Sequence, residues 1–291
     1  METGEALAEM CRPMKSHGNV LKENAARFTP SFDQLVADYR NEGEVNDRIH
    51  GALEEATWRD ALLAEHRQHV ERNKLGFGDA AFHSMWARIL ESAVQRHGTV
   101  RALEIGVFKG QVISLWALLA KTYGWPLHIS CISPMAGNPP PSGGLRHRLR
   151  LLFSQKYREE FRNGNFYQEE DYRGLIEGLF GRFGIDFSDV TVFRGFSTDP
   201  EVIRKTETEK FEVIYVDGDH TCAGASHDFK TFGPKVVKGG WLIADDAGCA
   251  LPGSKFWKGH QAVSEAVEIL PSLGFRNVLN VGHNRIYEKI A

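Results

Sequence analysis

Two short runs hold most of the chemistry available to this sequence: Val216-Asp-Gly-Asp-His220 and Ala244-Asp-Asp246. Each follows an apolar run of strand length, so Asp217, Asp245 and Asp246 leave the ends of two strands. In an open α/β sheet that carboxyl edge is where ligands bind. Two unit charges about 4 Å apart repel by roughly 4 kcal/mol at an effective dielectric of about 20. Three gathered carboxylates are therefore costly unless protonated, hydrogen-bonded or neutralised. A divalent cation removes that cost, and an all-oxygen donor set is hard, favouring Mg²⁺, with Mn²⁺ or Ca²⁺ as alternatives, over zinc. Successive strand residues face opposite ways, so Asp245 and Asp246 share an ion only if the chain turns at once, which Ala247-Gly248 permits. Asp219 reads as a helix cap or a support for the ligands, and His227 and Asp228 read as structural.

A second site element is Leu103-Glu-Ile-Gly-Val-Phe-Lys-Gly110, where an apolar run passes straight into a helical pattern. Gly106 and Gly110 let the backbone turn tightly and approach a ligand beside the positive end of the next helix. The dinucleotide fingerprint G-x-G-x-x-G is absent, which weakens any nicotinamide reading. Further on, Arg194-Gly-Phe-Ser-Thr-Asp-Pro200 offers Ser197 or Thr198 as a helix cap with proline near the start.

The elements that must position these groups alternate from about residue 99. Apolar runs at Arg101–Ile105, Leu127–Ile132, Val190–Arg194, Phe211–Val216, Trp241–Ala244, Phe275–Val281 and Arg285–Lys289 read as strands. Helical patterns fall at Val112–Thr122, Pro200–Lys205, Ala223–Val236 and His260–Leu270. This alternation predicts βαβ units and a parallel sheet. The last two strands are separated only by Gly282, His283 and Asn284, too short for a parallel crossover, so the sheet ends in an antiparallel hairpin. An insertion over about residues 134–185 opens with a Pro/Gly-rich loop and carries the basic run Arg146-His-Arg-Leu-Arg150. That run reads as a solvated helix face or a phosphate or partner patch. Gln168 to Phe183 supplies the crossover helix.

Residues 1–95 read as a helical N-terminal region, with Trp58, Leu62, Leu63 and His66, and then Phe82, Met85, Trp86, Ile89, Leu90 and Val94, at helical spacing. Asp79 is placed to cap the second of these helices. Phe77, Phe82, His83 and Trp86 could close over a substrate or make core or dimer contacts, the latter allowing a homo-oligomer. The chain of 291 residues has 35 basic and 38 acidic side chains and a net charge of −3. It therefore has no overall basic field for nucleic acid or anionic membranes. No apolar stretch approaches the roughly 20 residues that span a bilayer, and no secretory or transit leader is legible, so a cytoplasmic protein is expected. Cys11, Cys131, Cys222 and Cys249 lie far apart without C-x-x-C spacing, which argues against a zinc knuckle or disulfide framework.

The E-I-G-x-x-x-G turn, the V-D-G-D-H and K-G-G-W-L-I-A-D-D runs and the terminal hairpin together resemble class I S-adenosylmethionine-dependent methyltransferases over about residues 96–291. Within them the sequence most resembles the metal-dependent macrocin- and mycinamicin-type sugar and small-molecule O-methyltransferases. The resemblance implies a Rossmann-like, seven-stranded, mainly parallel sheet with an antiparallel last strand. It implies that S-adenosyl-L-methionine lies along Glu104, Gly106, Gly110, Ser133 and Ser197. It further implies a metal on Asp217, Asp245 and Asp246, and His220 as the base. Ser133 departs from the family, which usually has Asp or Glu there for the ribose, and in metal-free relatives the acid at Asp217 serves the cofactor alone. A capping or structural role is the other reading of His220.

The function expected is methyl transfer to a hydroxyl of a small-molecule acceptor: a sugar, polyol or phenol. Two alternatives are metal-independent transfer to a carboxyl, nitrogen or sulfur, and a noncatalytic binding protein of the same fold.

Overall fold

The computed structural model describes residues 26–138, 144–162, 166–168 and 170–291. Cys11 and part of the Pro/Gly-rich loop of the insertion lie outside the described residues. The seven strands are β1 (Val100–Ile105), β2 (Leu127–Ser133), β3 (Thr191–Arg194), β4 (Phe211–Val216), β5 (Val236–Ala244), β6 (Phe275–Val281) and β7 (Asn284–Lys289). They form one sheet in the order β3-β2-β1-β4-β5-β7-β6. Pairs from β3 through β5 are parallel, and β7 runs antiparallel to both β5 and β6. All six residues of β4 are buried, as expected of a central strand covered on both faces.

Several boundaries differ from the sequence expectation, most plainly at the hairpin and at β5. Asn284 pairs with Val281, so the hairpin loop is only Gly282-His283, opened by Gly282 at φ 57°. Strand β5 begins at Val236, because the preceding helix ends at Phe232 and a 3-10 turn over Gly233–Lys235 follows. Proline at position 234 cannot donate within a continuing helix.

One face of the sheet carries α4 (Ala81–His97) and α5 (Gln111–Tyr123), where Trp86 meets Trp116 and Tyr215 edge to face at 4.8 and 5.0 Å. Residues Ala81 to Val94 of α4 are all buried, so the helix is enclosed on every side rather than half-exposed. Its outer cover comes from α1 (Phe32–Asp38), α2 (Gly43–Arg59) and α3 (Ala61–Asn73), whose Phe32, Ile49, Leu53 and Leu63 join the same apolar cluster as the sheet. Asp60 caps α3 by accepting the amides of Leu62 and Leu63. The opposite face is covered by α9 (Pro200–Lys205), α10 (Cys222–Phe232) and α11 (Gln261–Ala266), with Phe211, Phe229, Phe232 and Tyr287 in its core.

The insertion folds as α6 (Leu145–Phe153), α7 (Gln155–Arg162) and the crossover helix α8 (Tyr172–Arg182). Helix α6 buries none of its residues. Among the described residues no helix is long and apolar enough to cross a membrane.

Candidate active site

At the carboxyl edge, backbone hydrogen bonds extend the ladder one residue beyond four strands. The amides of Gly106, Gly195, Asp217 and Asp245 donate to the carbonyls of Ile132, Ser133, Ile105 and Val216 at 3.1, 3.1, 2.8 and 3.0 Å. Both aspartates are therefore fixed by sheet pairing before any side-chain contact forms. The chain then turns at Asp246, which takes φ 54°, and its carbonyl accepts the amide of His260 at 2.8 Å. That left-handed residue is the immediate turn that two adjacent carboxylates need to face one site. The amide of Ala247 donates to the carbonyl of His283 at 2.9 Å, tying the turn to the β6–β7 hairpin.

Three imidazoles surround these carboxylates. Nε2 of His220 lies 3.5 Å from Asp217 Oδ1 and 3.4 Å from Asp246 Oδ2. Nε2 of His260 lies 3.6 Å from the same Asp246 oxygen, and its ring stacks on His220 at 4.7 Å. Nε2 of His283 approaches Asp245 Oδ1 at 3.2 Å and Asp246 Oδ1 at 3.5 Å. Burial, reinforced by the charges of Asp245 and Asp246, pushes Asp217 well above the usual carboxylate range. Burial and the charge of Asp245 raise Asp246 to about 6. Asp245 is also pushed up by burial, but the charge and hydrogen bonding of His283, with the His220 charge and an Asp217 contact, together outweigh this and hold it down. For His283 burial acts downward, and the charge and hydrogen bonding of Asp245, with the charges of Asp246 and Asp79, together turn it into a net rise.

These groups line a cavity of about 1010 Å³ that runs to the β1 and β2 ends. On that side Glu104 is buried, with Oε2 making no hydrogen bond, and burial followed by the Asp217 charge raises its pKa strongly. Gly106 sits at φ 94°, and a Cβ there would stand 1.8 Å from the carbonyl oxygen of Asp217. Only glycine lets β1 and β4 meet so closely while leaving the edge open.

A family model described as a methyltransferase domain matches residues 103–247, the stretch from β1 to just beyond the Asp245-Asp246 turn. That domain makes the chain a methyltransferase. No curated protein matches the sequence. Among solved structures, the fold is similar to that of the O-methyltransferase NovP. The two are 15% identical over 72% of this chain and 80% of that one, with a TM-score of 0.50. It is also similar to the SAH-bound methyltransferase PaMTH1 of Podospora anserina. Here identity is 14% over 85% of this chain and 96% of that one, with a TM-score of 0.51.

In this methyltransferase Glu104, Gly106, Ser133, Ser197, Asp217, His220, Asp245 and Asp246 all line the one cavity, whereas Gly110 does not. Gly110 instead starts α5 at φ 87° against Ile176 of α8. Ser133 is buried and its Oγ accepts the amide of Met135 at 3.0 Å, so the hydroxyl is partly committed to its own turn. The N-cap position expected of Ser197 or Thr198 is taken by Asp199, without a side-chain capping hydrogen bond, because Pro200 takes the first helical position and fixes the cap one residue before it. Both hydroxyl residues line the cavity instead. Asp219 accepts the amide of Thr221, and Thr221 caps α10. Ala80 takes the N-cap position of α4, yet Asp79 still accepts the amide of Ala81 and meets His50 Nε2 at 2.8 Å.

The sequence reading missed His260 and His283. Among the described residues, the tight donor groups are His220, Asp246 and His260, and Asp245, Asp246 and His283. Each contains Asp246 and an imidazole, and neither contains Asp217. Each group thus joins a carboxylate to an imidazole. A signal for His283 was available: if the last strand pairs antiparallel with the fifth, its starting loop must reach the fifth strand's carboxyl end, as Ala244 opposite Arg285 records.

Proposed function

We propose that this enzyme transfers the methyl group of S-adenosylmethionine to a hydroxyl oxygen of a small molecule, a sugar, polyol or phenol, with a divalent cation beside the acceptor. The observation carrying this reading is that one cavity joins the Glu104–Gly106 edge to the aspartate and histidine edge. Glu104 Oε2, buried without a hydrogen bond, suits the cofactor's amino group, and the Gly106 cradle leaves room for its backbone approach. Asp245 and Asp246, with Asp217 beside them, would hold the cation. When bound, it supplies charge that stabilises the developing alkoxide.

His220 removes the acceptor proton as the oxygen attacks. The new O–CH₃ bond forms while the S–CH₃ bond breaks, and S-adenosylhomocysteine leaves as a neutral thioether. The aromatic walls, among them Phe77, Phe108, Tyr167 and Trp257, hold the acceptor and exclude water. A metal-free version is favoured by one observation, the pairing of His283 with Asp245, since an imidazolium could neutralise the carboxylates.

The test incubates the protein with methyl-labelled S-adenosylmethionine and panels of sugars, polyols, phenols, carboxylic acids and amines, before and after chelation. Expected is label on a hydroxyl acceptor, lost with chelator and restored by a divalent ion. Undiminished turnover after chelation establishes the metal-free version. Failure to bind either S-adenosylmethionine or S-adenosylhomocysteine by calorimetry overturns the reading altogether.

A further inference from the structure

We infer that the cation at this edge is a borderline first-row transition ion, with Nε2 of His283 as a direct nitrogen ligand beside Asp245 and Asp246. The inference rests on the metal-assisted form of the function proposed above and adds the class of ion and a ligand to it.

Spacing is the first ground. Nε2 of His283 stands 3.2 and 3.5 Å from one oxygen of each adjacent aspartate. An N–H···O bond is centred near 2.9–3.0 Å and extends to about 3.2 Å, so one contact lies at its long limit and the other beyond it. Ligand atoms about 2.1 Å from an ion and roughly 90–109° apart lie about 3.0–3.4 Å from one another. The separations fit atoms that share an ion better than atoms that share a proton. Oδ1 of Asp245 is buried and makes no hydrogen bond, as an oxygen reserved for an ion would.

Positioning is the second. His283 is 3% exposed and sits in a two-residue hairpin whose backbone is bonded to Ala247. Its ring is held edge-on by Phe82 at 4.7 Å and Trp257 at 5.0 Å. Nδ1 makes no hydrogen bond, so the polar contacts of the ring are all at Nε2, toward the two aspartates. A side chain fixed this firmly does not need to move to ligate.

Chemistry is the third. Mg²⁺ prefers oxygen and retains water, whereas affinity for a site with imidazole rises along the first row from manganese to copper, with zinc also well suited. His260 belongs to the other tight donor group, with His220 and Asp246, and lies outside this ligand set. His220, which also touches Asp217, is left for the proton.

Metal-stripped full-length protein loaded with Mn²⁺ alone provides the test, read by electron paramagnetic resonance and electron spin-echo modulation from ¹⁴N. Expected are bound Mn²⁺, ¹⁴N modulation that disappears in His283→Ala and in His283→Gln, and modulation retained in His260→Ala. Competition should require at least about 100-fold more Mg²⁺ than Mn²⁺. Binding of S-adenosylhomocysteine by each variant reports that it is folded. Bound Mn²⁺ without ¹⁴N modulation, or modulation that survives both His283 substitutions, overturns the nitrogen ligand while leaving metal-assisted transfer standing. No bound Mn²⁺ overturns both.

Discussion

Two groups of histidines, one in the helical layer and one at the sheet edge, have opposite characters. In the helical layer His66 Nδ1 meets His83 Nε2 at 2.9 Å, and His66 Nε2 meets Ser114 Oγ at 3.0 Å. Both rings are essentially inaccessible, and these contacts are to another imidazole and a hydroxyl. Burial, with small contributions from neighbouring basic residues, pushes His66 down to about 3 and His83 well below the ordinary range. At the sheet edge His220, His260 and His283 face Asp217, Asp245 and Asp246 and line the cavity. There the neighbouring carboxylates, Asp245 first among them, together overcome the burial of His283. Residue type is the same in the two places, and His283 is nearly as buried as the helical pair, while His220 and His260 are part-buried. What turns imidazoles into chemical groups is the partner carboxylate and an open wall; without them the same ring is a neutral packing unit.

The most demanding test exchanges one member of each group. His220→Gln should lower kcat by about 10²–10⁴, the usual contribution of a positioned base, with S-adenosylhomocysteine affinity changed less than about threefold. His83→Gln should leave kcat within about threefold. Stopped-assay rates with an identified acceptor, beside calorimetry, read both. Equal losses in the two variants would erase the distinction between reactive and packing histidines.

A second effect separates the cofactor side of the edge from the helical layer. Gly106→Ala puts a Cβ at a position only 1.8 Å from the Asp217 carbonyl oxygen, on a residue at φ 94°. Affinity for S-adenosylhomocysteine should fall at least about tenfold, because β1 and β4 must part and take Glu104 and Asp217 with them. Gly98→Ala is the control: it also has positive φ, at 78°, but a Cβ there meets nothing within 4 Å. It should cost about 1 kcal/mol of stability from its backbone angle and leave affinity unchanged. Matching affinity losses would show that backbone strain, not the edge, governs binding.

The sequence made the edge legible more fully than the chemistry around it. Strand ends at Ile105, Val216 and Ala244 follow from apolar runs, and the short link after Val281 requires a hairpin, so Asp217 and Asp245 could be placed on one edge. The turn at Asp246 was also foreseeable, since Ala247-Gly248 permits it. His260 and His283 were not read because side-chain approach is a tertiary property: one precedes a helix, the other occupies a turn, and neither has a local pattern. The enclosure of α4 was hidden for a related reason. Its periodicity marks an apolar face, but residues such as Arg88 and Glu91 on its polar side are buried by segments far away in sequence, with Arg88 donating to the carbonyl of Pro30 and Glu91 accepting the amide of Arg27.

The smallest effect is on stability, and it comes from the histidines that do no chemistry. His66 and His83 titrate lower in the folded chain than in the unfolded one, where an ordinary imidazole takes its proton near 6.5. Above about pH 6.5 both states leave these rings neutral and the full stability is present. As pH falls below that value the unfolded chain binds protons that the fold refuses, so stability drains away, down toward pH 3 for His66. At pH 5 this amounts to at most about 2 kcal/mol for each ring. Urea unfolding at pH 7.5 and 5.0 should show that loss in the native protein, and a His66→Gln, His83→Gln double variant should show a shallower one. Other groups titrate in the same range, so the difference between the two proteins isolates the pair. If the double variant does not fold, ¹³C-labelled histidine resonances of the native protein decide the matter. Signals from His66 and His83 should stay flat between pH 8 and 5, and a midpoint near 6.5 for either would mean that the helical layer admits a proton after all.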